Sequence, residues 1–248
     1  MLYPNTRVER VEPSVQGVAV HFHKDGESVI IKGSHLLVAT GRKPNLKQLS
    51  LDRAGISHTA DGIKVNEQLR TSNRRVYAIG DSIGGPQFTH LANYHAGIVI
   101  RNALFRLKPD VSAATIPRVI YTDPELAQIG LTEAEAHQQY RRIRIFRAPY
   151  ADNDRAQCER ATEGFIKVIT RPNGTILGCT IVGAEAGELL QLWVVAMAKG
   201  MRIGDLTTLV LPYPTFSELS KRVAYTYYLP TLTKGWVRSI IGFLRRLG

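Results

Sequence analysis

Short stretches of alternating apolar and polar residues open the chain. TRVERVEP, GVAVHFHKDG around a turn at Asp25-Gly26, ESVIIKG and SHLLVAT predict a β-meander over Thr6 to Val38. Further on, Val76, Tyr77, Ala78 and Ile79 read as a buried strand, because β-branched and aromatic residues run up to a glycine that breaks the pattern. A Gly-Asp turn follows, and a helix is predicted from His90 to about Leu107 with Thr89 as its cap. The pattern changes after about Ala114, with Pro117 at the boundary. IPRVIYTD predicts a strand and TEAEAHQQY a helix opened by Thr132, with Glu135 in capping-box spacing. RRIRIFRAPY predicts an alternating strand with arginines on one face, and GFIKVITR and GTILGCTIVG a hairpin over RPNG. AGELLQLWVVAMAKG is dense enough in apolar residues to be a helix buried on most sides. Strands followed by helices without βαβ alternation imply an α+β domain with an antiparallel sheet.

Composition narrows the class. The 248 residues suffice for one large or two medium domains, and 44% hydrophobic content with scattered charge indicates a soluble globular protein. The polar start MLYPNTRVERVEP has no apolar signal region and no run is long enough to cross a bilayer, so a cytoplasmic protein is expected. Lys plus Arg at 32 against Asp plus Glu at 21 gives +11, which invites a nucleic-acid or anionic-membrane partner. No helix-turn-helix, finger or RNA-binding signature accompanies that charge, so no nucleic acid is expected. Cys158 and Cys179 have neither CxxC nor zinc-ligand spacing, and no metal site is expected.

The candidate chemistry starts at Asp81. An acidic side chain at a strand end, followed by Gly84, Gly85 and Pro86, sits where open α/β sheets bind ligands, and its carboxylate can accept hydroxyl hydrogen bonds. The alternative is a carboxylate capping its own turn. Helix-start amides beyond Thr89 favour a negatively charged atom. The combination suits a polyol and an electron-rich ring.

AIGD after a strand, VATGRKPN at Val38 to Asn45, and IPRVIYTDPELAQIGLTEAEA at Ile116 to Ala136 resemble three ordered motifs of one family. It is that of the flavin-dependent pyridine nucleotide-disulfide oxidoreductases, in their C-terminal half. The resemblance implies α/β plus α+β architecture: residues 1–40 end an NAD(P)-binding domain and 41–114 close a Rossmann-like FAD-binding domain. Residues 115–230 form the dimerisation domain of a homodimer, and 231–248 add a basic tail. It implies that Gly41 lies on the nicotinamide side and that Gly80 and Asp81 receive a ribityl hydroxyl of FAD. Thr89, His90 and Leu91 would then face the flavin's pyrimidine edge, where amides stabilise charge on the reduced ring. NAD(P)H is the implied electron donor. The glycine-rich nucleotide fingerprints and the redox cysteine pair of the family are not in this sequence. An N-terminal FAD/NAD(P) region is therefore an expected partner, and the chain reads as an expressed piece, a separate subunit or a truncated gene product.

LPYPTFSELSKRVAYTYY carries the second candidate site, in which Thr215 or Ser217 caps a helix with Glu218 in its first turn. The family's usual form has a histidine base before Pro-Thr, held by a glutamate placed as Glu218 is, and this chain has Tyr213 there. A phenol titrates near about pH 10, so Tyr213 is a poor base at neutral pH but can donate a hydrogen bond or ligate a soft metal. Tyrosine in this slot resembles mercuric reductases, although their C-terminal vicinal cysteine pair has no counterpart after Cys179. Tyr213 as a packing residue in a dimer contact is the alternative.

The tail TLTKGWVRSIIGFLRRLG is amphipathic at helical spacing. Trp236, Val237, Ile240, Ile241, Phe243, Leu244 and Leu247 fall in an arc of about 160°, opposite Arg238, Arg245 and Arg246. Such a helix suits an anionic membrane surface, through residues 234–248, and suits equally a seat on its own protein. Two functions remain: part of a flavin oxidoreductase, or a non-catalytic dimerisation and docking module.

Overall fold

The structure, a computed structural model, describes residues 1–15, 17–107, 116–232 and 234–246. The expected boundary near 114/115 and Leu247 of the tail lie outside the described residues. The chain divides into two compact units, Met1–Asn45 and Leu46–Gly248.

The first unit is a three-stranded antiparallel sheet of β1 (Val8–Ser14), β2 (Gly17–Lys24) and β3 (Glu27–Gly33), in that order. Asp25 and Gly26 link β2 to β3 with φ of 52° and 86°, the double left-handed conformation that matches strand twist in a two-residue hairpin. Ala19 and Phe22 are its buried residues, with Tyr3 edge-on to Phe22 at 5.0 Å. The fourth strand expected at SHLLVAT is not formed. Those residues pair with neither sheet edge among the described residues, and Leu37 and Val38 stand exposed. An apolar run becomes a strand only where a neighbour supplies the ladder.

In the second unit β4 (His58–Thr59) and β5 (Gly62–Ile63) form a small hairpin, and Leu51, Ile56, Ile63 and Ala78 make a local core. The strand expected at Val76–Ile79 is corrected to a single antiparallel bridge, Tyr77 opposite Arg70. The chain folds back instead: Thr71 N–H donates to Val76 O at 3.0 Å, Ala78 N–H donates to Leu69 O at 3.1 Å, and the Thr71 hydroxyl also donates to Val76 O. A local turn therefore satisfies backbone groups that a parallel ladder would have used.

Helix α1 (Thr89–Phe105) follows, two residues shorter than expected at its end. Then β6 (Arg118–Ile120), β7 (Glu125–Gly130), α2 (Glu133–Gln139), β8 (Arg144–Pro149), α3 (Asp154–Glu159), β9 (Phe165–Thr170) and β10 (Ile176–Gly183) build a five-stranded sheet ordered β6-β7-β10-β9-β8, antiparallel throughout. Thr132 caps α2 in a full capping box with Glu135, as its spacing predicts. The β9–β10 hairpin turns at Gly174, whose φ is 88°. Arg144 and Arg147 do not share a face of β8. An odd separation puts them on opposite sides, Arg144 stacked on Phe146 and Tyr227, and Arg147 paired with Glu133 at 3.2 Å.

Helix α4 (Ala186–Ala198) covers one sheet face with Leu189, Leu190, Trp193 and Ala196, against Ala127, Ile129, Ile166, Val168 and Ile181. Helix α5 (Glu218–Tyr225) adds Leu219, Val223 and Ala224, and the buried Trp193 indole donates to Ser220 Oγ at 3.1 Å. The chain closes with α6 (Leu229–Leu232) and α7 (Gly235–Leu244). None of the described helices is long and apolar enough to cross a membrane.

Candidate functional site

Asp81 sits in a short 3-10 turn, Gly80–Ile83, between the back-folded chain and α1. Glycines close that turn on two sides. Gly80 has φ of 59°, and a Cβ there would lie 2.8 Å from Ala92 Cβ of α1. A Cβ on Gly84, φ 76°, would meet Asp61 O at 2.5 Å, and one on Gly62 would meet the Ile83 backbone. Polar bonds complete the seat: Gly80 N–H donates to His95 Nδ1 at 3.1 Å, and Ser82 Oγ donates to Ile79 O at 2.7 Å.

The residues of α1 that make this seat recur at helical spacing. Leu91, His95 and Ile98 are buried, and Asn102 one turn further accepts from Tyr77 Oη at 2.7 Å and from Arg70 at 3.1 Å. Burial lowers the His95 pKa, which keeps the imidazole neutral and leaves Nδ1 free of a proton to accept from Gly80. Asp81 itself is half-buried at this anchored turn.

The helix start differs from the expected cap. Thr89 is the first residue of α1 and Phe88 occupies the cap position with no side-chain cap bond. His90 Nε2 reaches Pro117 O at 2.8 Å, and its ring stacks on Phe88. Leu91 buries its side chain and donates its amide to Phe88 O at 3.1 Å. A cleft of about 540 Å³ beside this start is lined by Thr89, His90, Tyr121, Glu125, Glu188 and Gln191. Its carboxylates disfavour phosphate there.

Tyr213 and Glu218 are held by different elements. Tyr213 is exposed and donates its phenol to Asp154 Oδ2 at 2.8 Å, and that bond raises its pKa, first through the hydrogen bond and then through the carboxylate's charge. The neighbouring Asn153 is buried, caps α3 through Ala156 N–H, and donates to Thr215 O at 3.1 Å. Two consecutive residues, the cap and the first residue of α3, thus fix the Tyr213–Thr215 segment. Neither expected hydroxyl caps α5: Ser217 stands at the cap position in helical conformation without a side-chain bond, and Thr215 Oγ1 donates back to Pro212 O. Glu218 has one buried carboxylate oxygen with no partner among the described residues. The tyrosine therefore engages Asp154, and Glu218 does not hold it.

In the first unit Gly41 has φ of 106° with open space around its Cβ position. Both cysteines are free, Cys158 exposed on α3 and Cys179 buried with its thiol pKa pushed well up by burial. His95, Asn153 and Asp154 were not singled out in the sequence. YADND carries a helix-cap signal, but nothing local pairs it with a segment 60 residues on, and His95 looks like any helical histidine.

Comparison with known proteins places these features. Residues 116–224 match the pyridine nucleotide-disulphide oxidoreductase dimerisation domain, and residues 1–96 match the pyridine nucleotide-disulphide oxidoreductase domain. The chain belongs to the pyridine nucleotide-disulphide oxidoreductase family, whose members use FAD and NAD(P)H. It is 34% identical to a dihydrolipoyl dehydrogenase of Bacillus subtilis over 90% of its own length and 48% of the relative's. It is 35% identical to a mercuric reductase of Staphylococcus aureus over 88% of its length and 40% of the relative's. The chain thus spans about half the length or less of these curated relatives. Among solved structures, LpdA from Mycobacterium tuberculosis superposes with a TM-score of 0.81 at 27% identity, covering 90% of this chain and 48% of that one. A Cu(II) complex of RclA, an HOCl-induced flavoprotein disulfide reductase from Escherichia coli, gives 0.80 at 25% identity, covering 89% and 50%.

Proposed function

We propose that the chain is the C-terminal portion of an FAD-dependent, NAD(P)H-using oxidoreductase, mercuric-reductase-like, that passes electrons to a disulfide, a metal ion or another acceptor. The observation that carries this reading is the glycine-clamped turn that fixes Asp81 beside the start of α1. FAD, when bound, supplies the hydride-accepting ring. Its sugar-alcohol chain fits a half-buried carboxylate on a close-packed turn whose glycines leave no room for a side chain, because an acceptor held in place costs little reorganisation. Gly80 and Asp81 would hold the ribityl hydroxyl, and Thr89, His90 and Leu91 would present the positive end of α1 to the ring edge. Leu91 would do so through its position in the first turn, since its amide is already engaged. Gly41, at positive φ with open space, gives a close backbone approach on the nicotinamide side.

Tyr213 acts in this reading as a hydrogen-bond donor tied to Asp154. Its raised pKa leaves it protonated at neutral pH, so it does not serve as the base for a dithiol. The dithiol and the nucleotide fingerprints belong to an N-terminal region, and residues 1–40, 41–114 and 115–230 are the nicotinamide, flavin and dimerisation parts. Exposed apolar side chains on α1, Ile100, Leu104 and Phe105, support a chain that packs against more protein. The dimerisation domain supports a homodimer, and the orphaned oxygen of Glu218 supports a polar partner arriving from outside the chain.

Reconstitution tests the reading. The chain is joined to the N-terminal half of the Bacillus subtilis dihydrolipoyl dehydrogenase, loaded with FAD and desalted, and flavin retention and NADH or NADPH oxidation are measured beside Asp81→Ala. Retention that falls about tenfold or more in the variant is expected for loss of a charged hydrogen bond. A colourless dimer, or equal retention in both, favours the non-catalytic dimerisation and docking module.

A further inference from the structure

Helix α7 keeps its apolar residues out of the core. No residue of it is buried, and Trp236, Phe243 and Leu244 are 60%, 62% and 57% exposed, with Ile240 and Ile241 at 49% and 46%. The helix α4, equally apolar, buries five residues in the main core. The two helices therefore have different partners. Five large apolar side chains exposed on ten residues form the kind of contiguous patch that marks contact with another surface.

Charge decides what that is. From Leu219 to the last residue the sequence carries Lys221, Arg222, Lys234, Arg238, Arg245 and Arg246 and no acidic residue. Arg238 and Arg246 lie on the side of α7 away from the apolar arc, and Arg245 flanks it. Pairing this face with a second copy would cover the apolar arc but leave Arg238 and Arg246 facing away without an anionic partner, and would bring only Arg245, at the rim, near its counterpart. A surface that is apolar beneath and anionic above satisfies both faces of the helix at once. Ten residues span about 15 Å, half the hydrocarbon thickness of about 30 Å, so α7 can lie on a bilayer and cannot cross one. Leu229 and Leu232 of the preceding α6 are also more than half exposed.

We propose that α7 is a docking helix that lays its Trp236–Phe243 face into the headgroup boundary of an anionic lipid bilayer, with its arginines against the lipid phosphates. Tryptophan and phenylalanine suit that boundary, and the cations supply long-range attraction that salt screens. This inference rests on the tail alone and stands or falls apart from the flavin reading.

The whole chain is sedimented with vesicles of phosphatidylcholine, and with vesicles of phosphatidylcholine mixed with phosphatidylglycerol. Pelleting with the mixed vesicles only, weakening as salt rises, is expected. Arg238→Ser and Arg245→Ser should each lower partitioning roughly fivefold, and Trp236→Ser with Phe243→Ser about tenfold or more. All four positions are exposed, so circular dichroism of the variants should match the parent. Equal pelleting with both vesicle types, pelleting unaffected by these variants, or no pelleting at all overturns the proposal. Self-association that the Trp236 and Phe243 variants abolish, without vesicle binding, assigns the face to a second copy and also overturns it.

Discussion

Gly80 donates its backbone amide to Nδ1 of His95 across 3.1 Å, so a glycine at positive φ and a buried neutral imidazole together fix the turn that carries Asp81. The bond needs an unprotonated Nδ1. Acid should therefore loosen the turn before it unfolds the sheet.

Burial holds the His95 pKa below its ordinary 6.5, which means that the folded chain favours the neutral ring. The resulting contribution to stability is fully present above that ordinary value and is lost as pH falls through the lowered folded value. Urea unfolding followed from about pH 7 to about pH 5 should show a steeper loss for the parent than for His95→Gln, which keeps an acceptor and does not titrate. Parallel loss in both proteins would refute the role given to His95.

The contact between Gly80 and Ala92 predicts a coupled pair. Gly80→Ala should destabilise the second unit by about 1–3 kcal/mol, from left-handed strain and from the Cβ contact at 2.8 Å. Ala92→Gly alone should cost about 1 kcal/mol as a helix substitution. In the double variant the costs should fall short of their sum by about 0.5 kcal/mol or more, the part owed to the contact. Strict additivity would show that the two positions do not touch.

Tyr213 and Asp154 give a spectroscopic prediction. Asp154→Asn should lower the phenol pKa towards its ordinary 10, because it removes the carboxylate that accepts the hydrogen bond and its charge. Ultraviolet titration of phenolate, read as the difference from Tyr213→Phe, measures it. An unchanged Tyr213 titration in Asp154→Asn would remove Asp154 as its partner.

Much of the second unit was legible because its signals are local. The capping box at Thr132 and Glu135, the RPNG hairpin and the helix at AGELLQLWVVAMAKG each need only a few consecutive residues, and each formed, although that helix buries one stripe and leaves Glu188, Gln191, Val195 and Ala198 exposed where burial on most sides was expected. What depends on distant partners was not legible. SHLLVAT and Val76–Ile79 have strand composition, yet the first finds no ladder among the described residues and the second closes a turn onto Leu69–Thr71. Tyr213 could be placed in its slot from the Pro-Thr pattern, but its partner Asp154 lies 59 positions earlier in the chain. The arginines of β8 were misplaced for a simpler reason: Arg144 and Arg147 are an odd number of residues apart, which a strand sends to opposite faces.

The central claim is that the turn at Asp81 and the start of α1 receive FAD. Titrating FAD into the isotope-labelled chain and following its backbone amide NMR signals tests this even where binding is weak. Shifts should cluster at Gly80, Asp81, Thr89 and His90 and vanish in Asp81→Ala. Shifts that spare this group, or that persist unchanged in the variant, would contradict the account.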